Sequence, residues 1–265
     1  MRLRLAGLMA GAALAAGSAA AWGAAETDAP HEVIANGSLI HTILAAPVIG
    51  QPYSALQVHK TVQTLVDGTK VTRGGHHNVA RDSQGRVRVE MRMAPAQNGQ
   101  PETVMVFVVD PVAHTLTTWM TGPKVNHVAT VAQLSEKRPA NVAQAKQPVD
   151  GRPQPVVTRE TLAPETIDGL PVTVVKTTTV VPAGRAGNDA PITKTQETWT
   201  SEDLKLVMKE EWTDPRMGVR TISLEKFSRA EPDAALFRAP ADYQVKDAKE
   251  TLKELAETLN EAAQN

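Results

Sequence analysis

Gly85-Arg86-Val87-Arg88-Val89-Glu90-Met91-Arg92-Met93 alternates strictly between apolar and charged residues. Val87, Val89, Met91 and Met93 fall on one phase, and Arg86, Arg88, Glu90 and Arg92 on the other. Successive side chains of a strand point to opposite faces. The stretch therefore reads as a strand with one face in an apolar interior and one against water or a polar partner. The same period extends outward. From Tyr53, residues Leu56, Val58 and Val62 share a face opposite Gln57, His59, Thr61 and Gln63, and Asp67-Gly68 turns the chain into a return strand at 70–73. A loop at 94–101 with Asn98-Gly99 leads to the nearly continuous apolar run 103–109, a central strand that includes Met105 and Phe107. Asp110-Pro111 then turns into 114–120. Residues 53–127 thus form an antiparallel meander, preceded by a weakly patterned lead-in at 26–52 with a short apolar piece at 39–44.

Residues 128–156 are rich in Ala, Gln, Lys and Pro and end in Asp150-Gly151-Arg152-Pro153. They read as a linker or crossover, with 131–137 as a short helix. Residues 157–245 resume the strand pattern as a second meander of the same domain. Asp168-Gly169 opens a Val/Thr-rich strand at 172–181, and further strands follow at 192–200, 204–212 and 219–227. Ser201-Glu202-Asp203 and Asp214-Pro215-Arg216-Met217-Gly218 supply turns. Glu231-Pro232-Asp233 starts a short turn or helix through 234–237, and 239–245 closes the sheet. Each half offers about four strands. In 246–265, Asp247 with Glu250 resembles a capping box, and Ala248, Leu252, Leu255, Leu259 and Ala262 recur at helical spacing. That terminal helix reads as a stripe docked on the sheet or as a partner-binding helix.

The amino terminus reads as an address. Arg2 and Arg4 precede an Ala/Gly/Leu run at 5–22, and small residues lead into Glu26. This is the pattern of a secretory signal over residues 1–25, cut after Gly23 or Ala25. The other reading is an uncleaved anchor, although Ala and Gly add little to membrane insertion. The chain has no cysteine, which excludes a lipid-modified amino terminus, disulfides and thiolate metal sites. Net charge moves from −1 to −3 once the two signal arginines are removed, and no basic block stands anywhere, which argues against nucleic acid. Aromatics make up 3% of the chain, too few for a sugar-stacking platform. No second stretch has membrane-span length. The expected location is periplasmic or secreted.

Candidate chemistry is sparse. His76-His77 lies between Gly74-Gly75 and Asn78, but neighbours on a strand point apart and can share an ion only in a loop. His59, His114 and His127 could join them only through the fold. No metal site or cofactor is expected. Asp189, Glu202, Asp203 and Asp214 fall in turns, where backbone hydrogen bonding accounts for them. No nucleophile elbow, phosphate loop or dinucleotide fingerprint is present, so the chain is expected not to be an enzyme. Arg86, Arg88 and Arg92 form the strongest polar row: a face for an anionic head group or acidic partner, or a solvated face paired with neighbouring carboxylates.

Two blocks carry a resemblance. One is Arg81-Asp82-Ser83-Gln84-Gly85-Arg86-Val87-Arg88 with Glu90. The other is Asp214-Pro215-Arg216-Met217-Gly218 leading to Arg229-Ala230-Glu231-Pro232-Asp233, Leu236-Phe237 and Pro240-Ala241-Asp242-Tyr243. Together they resemble a group of exported bacterial β-sheet proteins over residues 53–245, and more distantly the periplasmic lipoprotein-carrier and sigma-regulator sensor superfamily. That resemblance implies a curved, unclosed antiparallel sheet that holds acyl chains, usually with a substantial helix before the first strand.

The fold expected is mainly β: a strongly curved, half-barrel-like antiparallel sheet with a carboxyl-terminal amphipathic helix. Its function is expected to be non-enzymatic binding of a lipid or other apolar ligand on a concave face lined by Val87, Val89, Met91, Met93, Met105 and Phe107. The alternative is an envelope protein that binds another protein through a sheet edge or the terminal helix.

Overall fold

The computed structural model describes residues 47–94, 101–134, 153–251 and Lys253. The signal segment, the 39–44 piece, the Asn98-Gly99 loop, most of the expected crossover and the terminal stripe from Leu252 onward lie outside the described residues.

One large sheet dominates. Its strands are β1 (Tyr53–Thr64), β2 (Lys70–Arg81), β3 (Val87–Ala94), β4 (Thr103–Asp110), β5 (Thr115–Thr121), β6 (Val128–Gln133), β7 (Val156–Thr161), β8 (Glu165–Ile167), β9 (Leu170–Val181), β10 (Ile192–Ser201), β11 (Leu206–Asp214), β12 (Gly218–Ser228) and β13 (Gln244–Asp247). The order across the sheet is β13-β6-β5-β4-β3-β2-β1-β12-β11-β10-β9-β7, with β8 also paired to β9. Two meanders therefore run outward in opposite directions from the β1–β12 seam. All pairs are antiparallel except β13 beside β6.

Turn chemistry sets the hairpins. The Asp67-Gly68 turn is closed by the Leu65 N–H donating to the Gly68-adjacent Thr69 carbonyl at 2.8 Å, and Gly68 adopts φ +84°. At the β4–β5 hairpin Asp110 Oδ1 accepts from the Val112 and Ala113 amides. Asp82 and Asp214 act alike: each accepts from backbone amides two residues on and grips an arginine of its own turn, Arg86 or Arg216.

Three expectations need correction. Residues 128–133, read as linker and the start of a helix, form strand β6. Its Ala129 pairs with Trp119 and is fully buried, and Thr130 meets Thr118 hydroxyl to hydroxyl at 2.7 Å. Cross-strand partners override the weak helical bias of an Ala/Gln-rich segment. Strands β7 and β8 extend the second meander beyond the expected set, each pairing with the long β9. The terminal helix starts later than residue 246, because 244–247 forms β13. Asp247 then caps the turn that follows, accepting from the Lys249 amide at 2.7 Å.

The sheet is strongly curved toward the face that carries Tyr53, Val79, Val87 and Val89. Arg81 shares that face with its cross-strand partners Tyr53 and Val87. Its Nη2 donates to the Leu204 carbonyl at 2.7 Å, in the β10–β11 turn. In a flat sheet β2 and β11 would stand about 14 Å apart. An arginine spans half of that, so the sheet must curl. Bulges help: the β1–β12 register shifts between Ser54 and Leu56, where Lys226 on β12 holds φ +51°.

Two apolar clusters result. The first, reaching from Val87 and Val89 through Tyr53, Leu224, Leu206 and Met208 to Val174 and Trp199, spans both meanders. The second lies on the other face of the first meander: Ala80, Val106, Val108, Trp119 and Ala129 are covered by Phe237, with Tyr243 packed against them. That cover is the crossing segment 229–243. Glu231 grips the β2–β3 turn through the Ser83 amide and hydroxyl at 3.0 and 3.1 Å, and Tyr243 donates to the Met120 carbonyl at 2.7 Å. The two sequence blocks that carry the family resemblance thus meet in space, 148 residues apart, and tie the crossing segment down.

Candidate functional site on the concave face

Register places most of the apolar residues proposed for ligand binding side by side. Val89 pairs with Phe107, and Met91 with Met105. Met105 pairs in turn with Met120, and Phe107 with Thr118. Met91, Met105 and Met120 therefore form one rung across three strands of the concave face. Along β3 the burial fades: Val87 is 4% exposed and Met93 54%. Val87 and Val89 are committed to the first cluster, and Met91 sits at its margin. Met105, Phe107 and Met120 are half-buried. The concave face is filled near Tyr53 and opens toward the β1–β2 and β11–β12 turns.

The methionine rung runs into polar groups. The β2–β3 ladder ends at Asn78–Glu90, and its register continued one step sets Met91 across from His77 of β2, which pairs with Gln57 of β1 and through it with Leu224 of β12. The next rung toward the turns holds His59, paired with Ile222, which pairs with Glu210. The rung after that holds Thr61, Arg220, Trp212 and Gln196. The rings of His59 and His77 stack with centroids 5.1 Å apart. Arg220 lies over Trp212 at 5.4 Å, and Gln196 donates to Glu210 at 3.5 Å.

Glycine makes this arrangement possible. A Cβ on Gly75 would stand 2.9 Å from His59 Nε2, so the His59 ring occupies the space a side chain would take. Gly75→Ala is expected to destabilise the protein by about 1 kcal/mol in the wild-type background. In a His59→Ala background the same change should be neutral or stabilising, because alanine is otherwise the better residue there. Urea unfolding of the four proteins of that cycle checks this; equal effects in both backgrounds would remove the role given to Gly75.

Electrostatics follow from burial. Glu210 is pushed up to about 7, chiefly by burial, against the Gln196 hydrogen bond and the Arg220 charge. Burial lowers His59, and Arg220 and His76 add to the shift. Burial also lowers His77, with His59 next, while the Glu90 backbone carbonyl acts the other way. His77 Nδ1 is buried without a well-formed hydrogen bond. At neutral pH these groups favour uncharged imidazoles beside a fixed guanidinium.

The arginine row stands on the opposite face. Arg86 binds Asp82 at 2.6 Å and lies over the Phe237 ring at 5.1 Å. Arg88 bridges Glu90 at 2.6 Å and the Leu236 carbonyl at 2.6 Å, over Trp119. Arg92 pairs with Glu102 at 2.7 Å. The first two clamp the crossing segment, and all three follow the paired-face reading. His76 and His77 point to opposite faces within β2, and it is His59 that joins His77. Among the described residues no group of three or more His, Asp or Glu could hold a metal ion. Asp214, a turn carboxylate, is held down to about 2, first by its hydrogen bond from Arg216.

Sequence reading missed Gln57, Glu210, Arg220, Trp212, Gln196 and Met120 as site residues. One signal was present: Glu210 occupies the buried phase of Leu206, Met208 and Trp212, where a carboxylate is out of place. Beside the cluster, the β1–β2 and β11–β12 turns frame an open groove of about 440 Å³, lined by Val62, Leu65, Val66, Lys70, Arg216 and Val219 among others.

No protein-family model matches the chain, and no curated protein does. Among solved structures it is similar to PNGF-II, with a TM-score of 0.35 and 17% identity over 77% of this chain and 33% of that one. It is similar to a chain of the MucA/MucB complex of Pseudomonas aeruginosa, with a TM-score of 0.37 and 15% identity over 74% of this chain and 58% of that one. A LolA superfamily protein of Nitrosomonas europaea gives a TM-score of 0.27 and 12% identity over 76% and 97% of the two chains. The chain spans about a third of PNGF-II and less than two thirds of the MucA/MucB chain it matches. Among the described residues no helix is long and apolar enough to cross a membrane.

Proposed function

We propose that this is an exported, non-enzymatic carrier that holds an apolar chain on the concave face of its sheet, in the bacterial envelope. Export rests on the Arg2/Arg4 and 5–22 signal pattern. The observation that carries the ligand reading is the in-register rung Met91–Met105–Met120, with Phe107 beside it and Met93 exposed at its open end. Methionine repacks around varied chains, which suits a surface that must accept and release a flexible ligand. Met105→Glu places a charge in the middle of the rung at a half-buried position. Binding of a dansylated fatty acid, followed by fluorescence titration, is expected to weaken at least about 30-fold, the cost of about 2 kcal/mol for burying an unpaired charge. Unchanged affinity would remove the rung from the site.

A second reading, docking of an envelope protein along a sheet edge, is favoured by β7. All six of its residues are exposed, Val156 at 61% and Val157 at 56%. An exposed edge strand offers unpaired backbone groups to an added strand. Val157→Lys should abolish such docking and leave fatty-acid binding intact.

A further inference from the structure

We infer that the cluster of Arg220, His59 and His77 is a head-group subsite, and that the ligand is an acidic amphiphile whose carboxylate or phosphate sits there while its chain lies over the methionine rung. The inference rests on the carrier reading above and adds the polar end of the ligand.

Three observations point to a ligand at this place. First, Arg220 is a half-buried guanidinium on the concave face; among the described residues it makes no ion pair or hydrogen bond, the Trp212 ring lies against it, and Glu210 and His59 act on it through charge alone. By contrast Arg86, Arg88, Arg92 and Arg216 are each matched to a carboxylate at 2.6–2.8 Å. A desolvated guanidinium without an acceptor is costly, and its planar fork fits a carboxylate or phosphate. Second, the buried Nδ1 of His77 lacks a well-formed hydrogen bond, and His59 stacks on the same ring. Either imidazole can donate to an anion while neutral. Third, the cluster adjoins the apolar rung: continuing the β2–β3 register one step past Asn78–Glu90 sets His77 across from Met91, and Met120 lies two strands beyond Met91, about 10 Å away at the usual strand spacing. A chain running from an anion at Arg220 crosses the polar positions of β1 and β2, among them Thr61, His59 and His77, and then lies over the methionines of β3 to β5. Glu210 does not compete for Arg220 as a full charge, since it holds its proton up to near neutrality and accepts from Gln196.

The test uses the full mature protein and two probes, a dansylated undecanoic acid and its methyl ester, with inorganic phosphate as a third arm. The acid should bind about 10-fold or more tightly than the ester at pH 6, where Glu210 keeps its proton. Arg220→Gln should erase that preference while leaving ester affinity unchanged, and Arg220→Lys, which keeps the charge, should restore part of it. Ligand-free melting of each variant shows that it is folded. His59→Gln supplies an independent variant, expected to reduce the preference. Equal binding of acid and ester by the wild type overturns the subsite while leaving the carrier reading standing. So does an acid preference that survives Arg220→Gln. Thermal stabilisation by phosphate that depends on Arg220, without any preference between the amphiphiles, would make this a site for a free anion and overturn the proposal. Failure of both amphiphiles to bind overturns the carrier reading and the subsite together.

Discussion

Arg81→Ala is expected to destabilise the protein by about 3–5 kcal/mol, a large share of the stability of an ordinary domain. The side chain is fully buried and lies over the Tyr53 ring at 5.0 Å. Its Nε donates to the Gln51 carbonyl at 2.8 Å and its Nη2 to the Leu204 carbonyl at 2.7 Å. Truncation leaves both carbonyls without that donor and opens a cavity beside the first apolar cluster, two costs that add. The second bond also joins β2 to a turn that a flat sheet would hold far away, so its loss relaxes the curvature of the concave face. Arg81→Lys keeps the charge but cannot reach both carbonyls with one ammonium, and should fall between the two. Urea unfolding reads the effect. A loss below about 1 kcal/mol for Arg81→Ala would show that curvature does not depend on this residue.

Glu210→Gln should have the opposite sign at alkaline pH. The carboxyl keeps its proton to about pH 7 in the folded chain, against an ordinary value of 4.5. Between those values the folded state binds more protons than the unfolded state. Stability therefore falls as pH rises through that window and stays reduced above it. A shift of this size corresponds to about 3 kcal/mol. Glutamine has the same shape, can accept from Gln196 and cannot ionise. The variant should match the wild type near pH 4 and exceed it by about 2–3 kcal/mol at pH 8. His59 and His77 act in the reverse direction: burial lowers both, so stability is lost as pH falls below the ordinary imidazole range. Chemical unfolding from pH 4 to 8 separates the contributions, since only the Glu210 slope disappears in the variant. Parallel pH profiles for the two proteins would contradict the burial of the carboxylate.

Local features were legible in the sequence. The alternation of 85–93 places Val87, Val89 and Met91 on one face, and Asp67-Gly68, Asp110-Pro111 and the 214–218 turn mark real hairpins, because hairpin pairing depends on neighbours in sequence. Strand β6 was not legible. Its identity depends on Trp119 and Thr118 across the ladder, while its own Ala and Gln have little strand preference. The polar cluster was hidden for a related reason. His59 and Arg220 come from strands that are far apart in sequence and meet only at the β1–β12 seam, which joins the two meanders. The histidine pair also differs from the adjacent one that stands out in the sequence: His77 partners His59, one rung beyond its own cross-strand partner Gln57, and Gly75 supplies the room. The family-like blocks 81–90 and 229–243 read as a motif without a role. Their role is mechanical, since Glu231, Leu236 and Phe237 close over the turn and face that Ser83, Arg86 and Arg88 present.

Native mass spectrometry of the mature protein, purified without detergent from the envelope of its expression host, tests the central claim most directly. A bound amphiphile should appear at one per chain and be lost in Met105→Glu. A ligand-free protein that also fails to take up dansylated undecanoic acid would contradict a carrier built on the concave face.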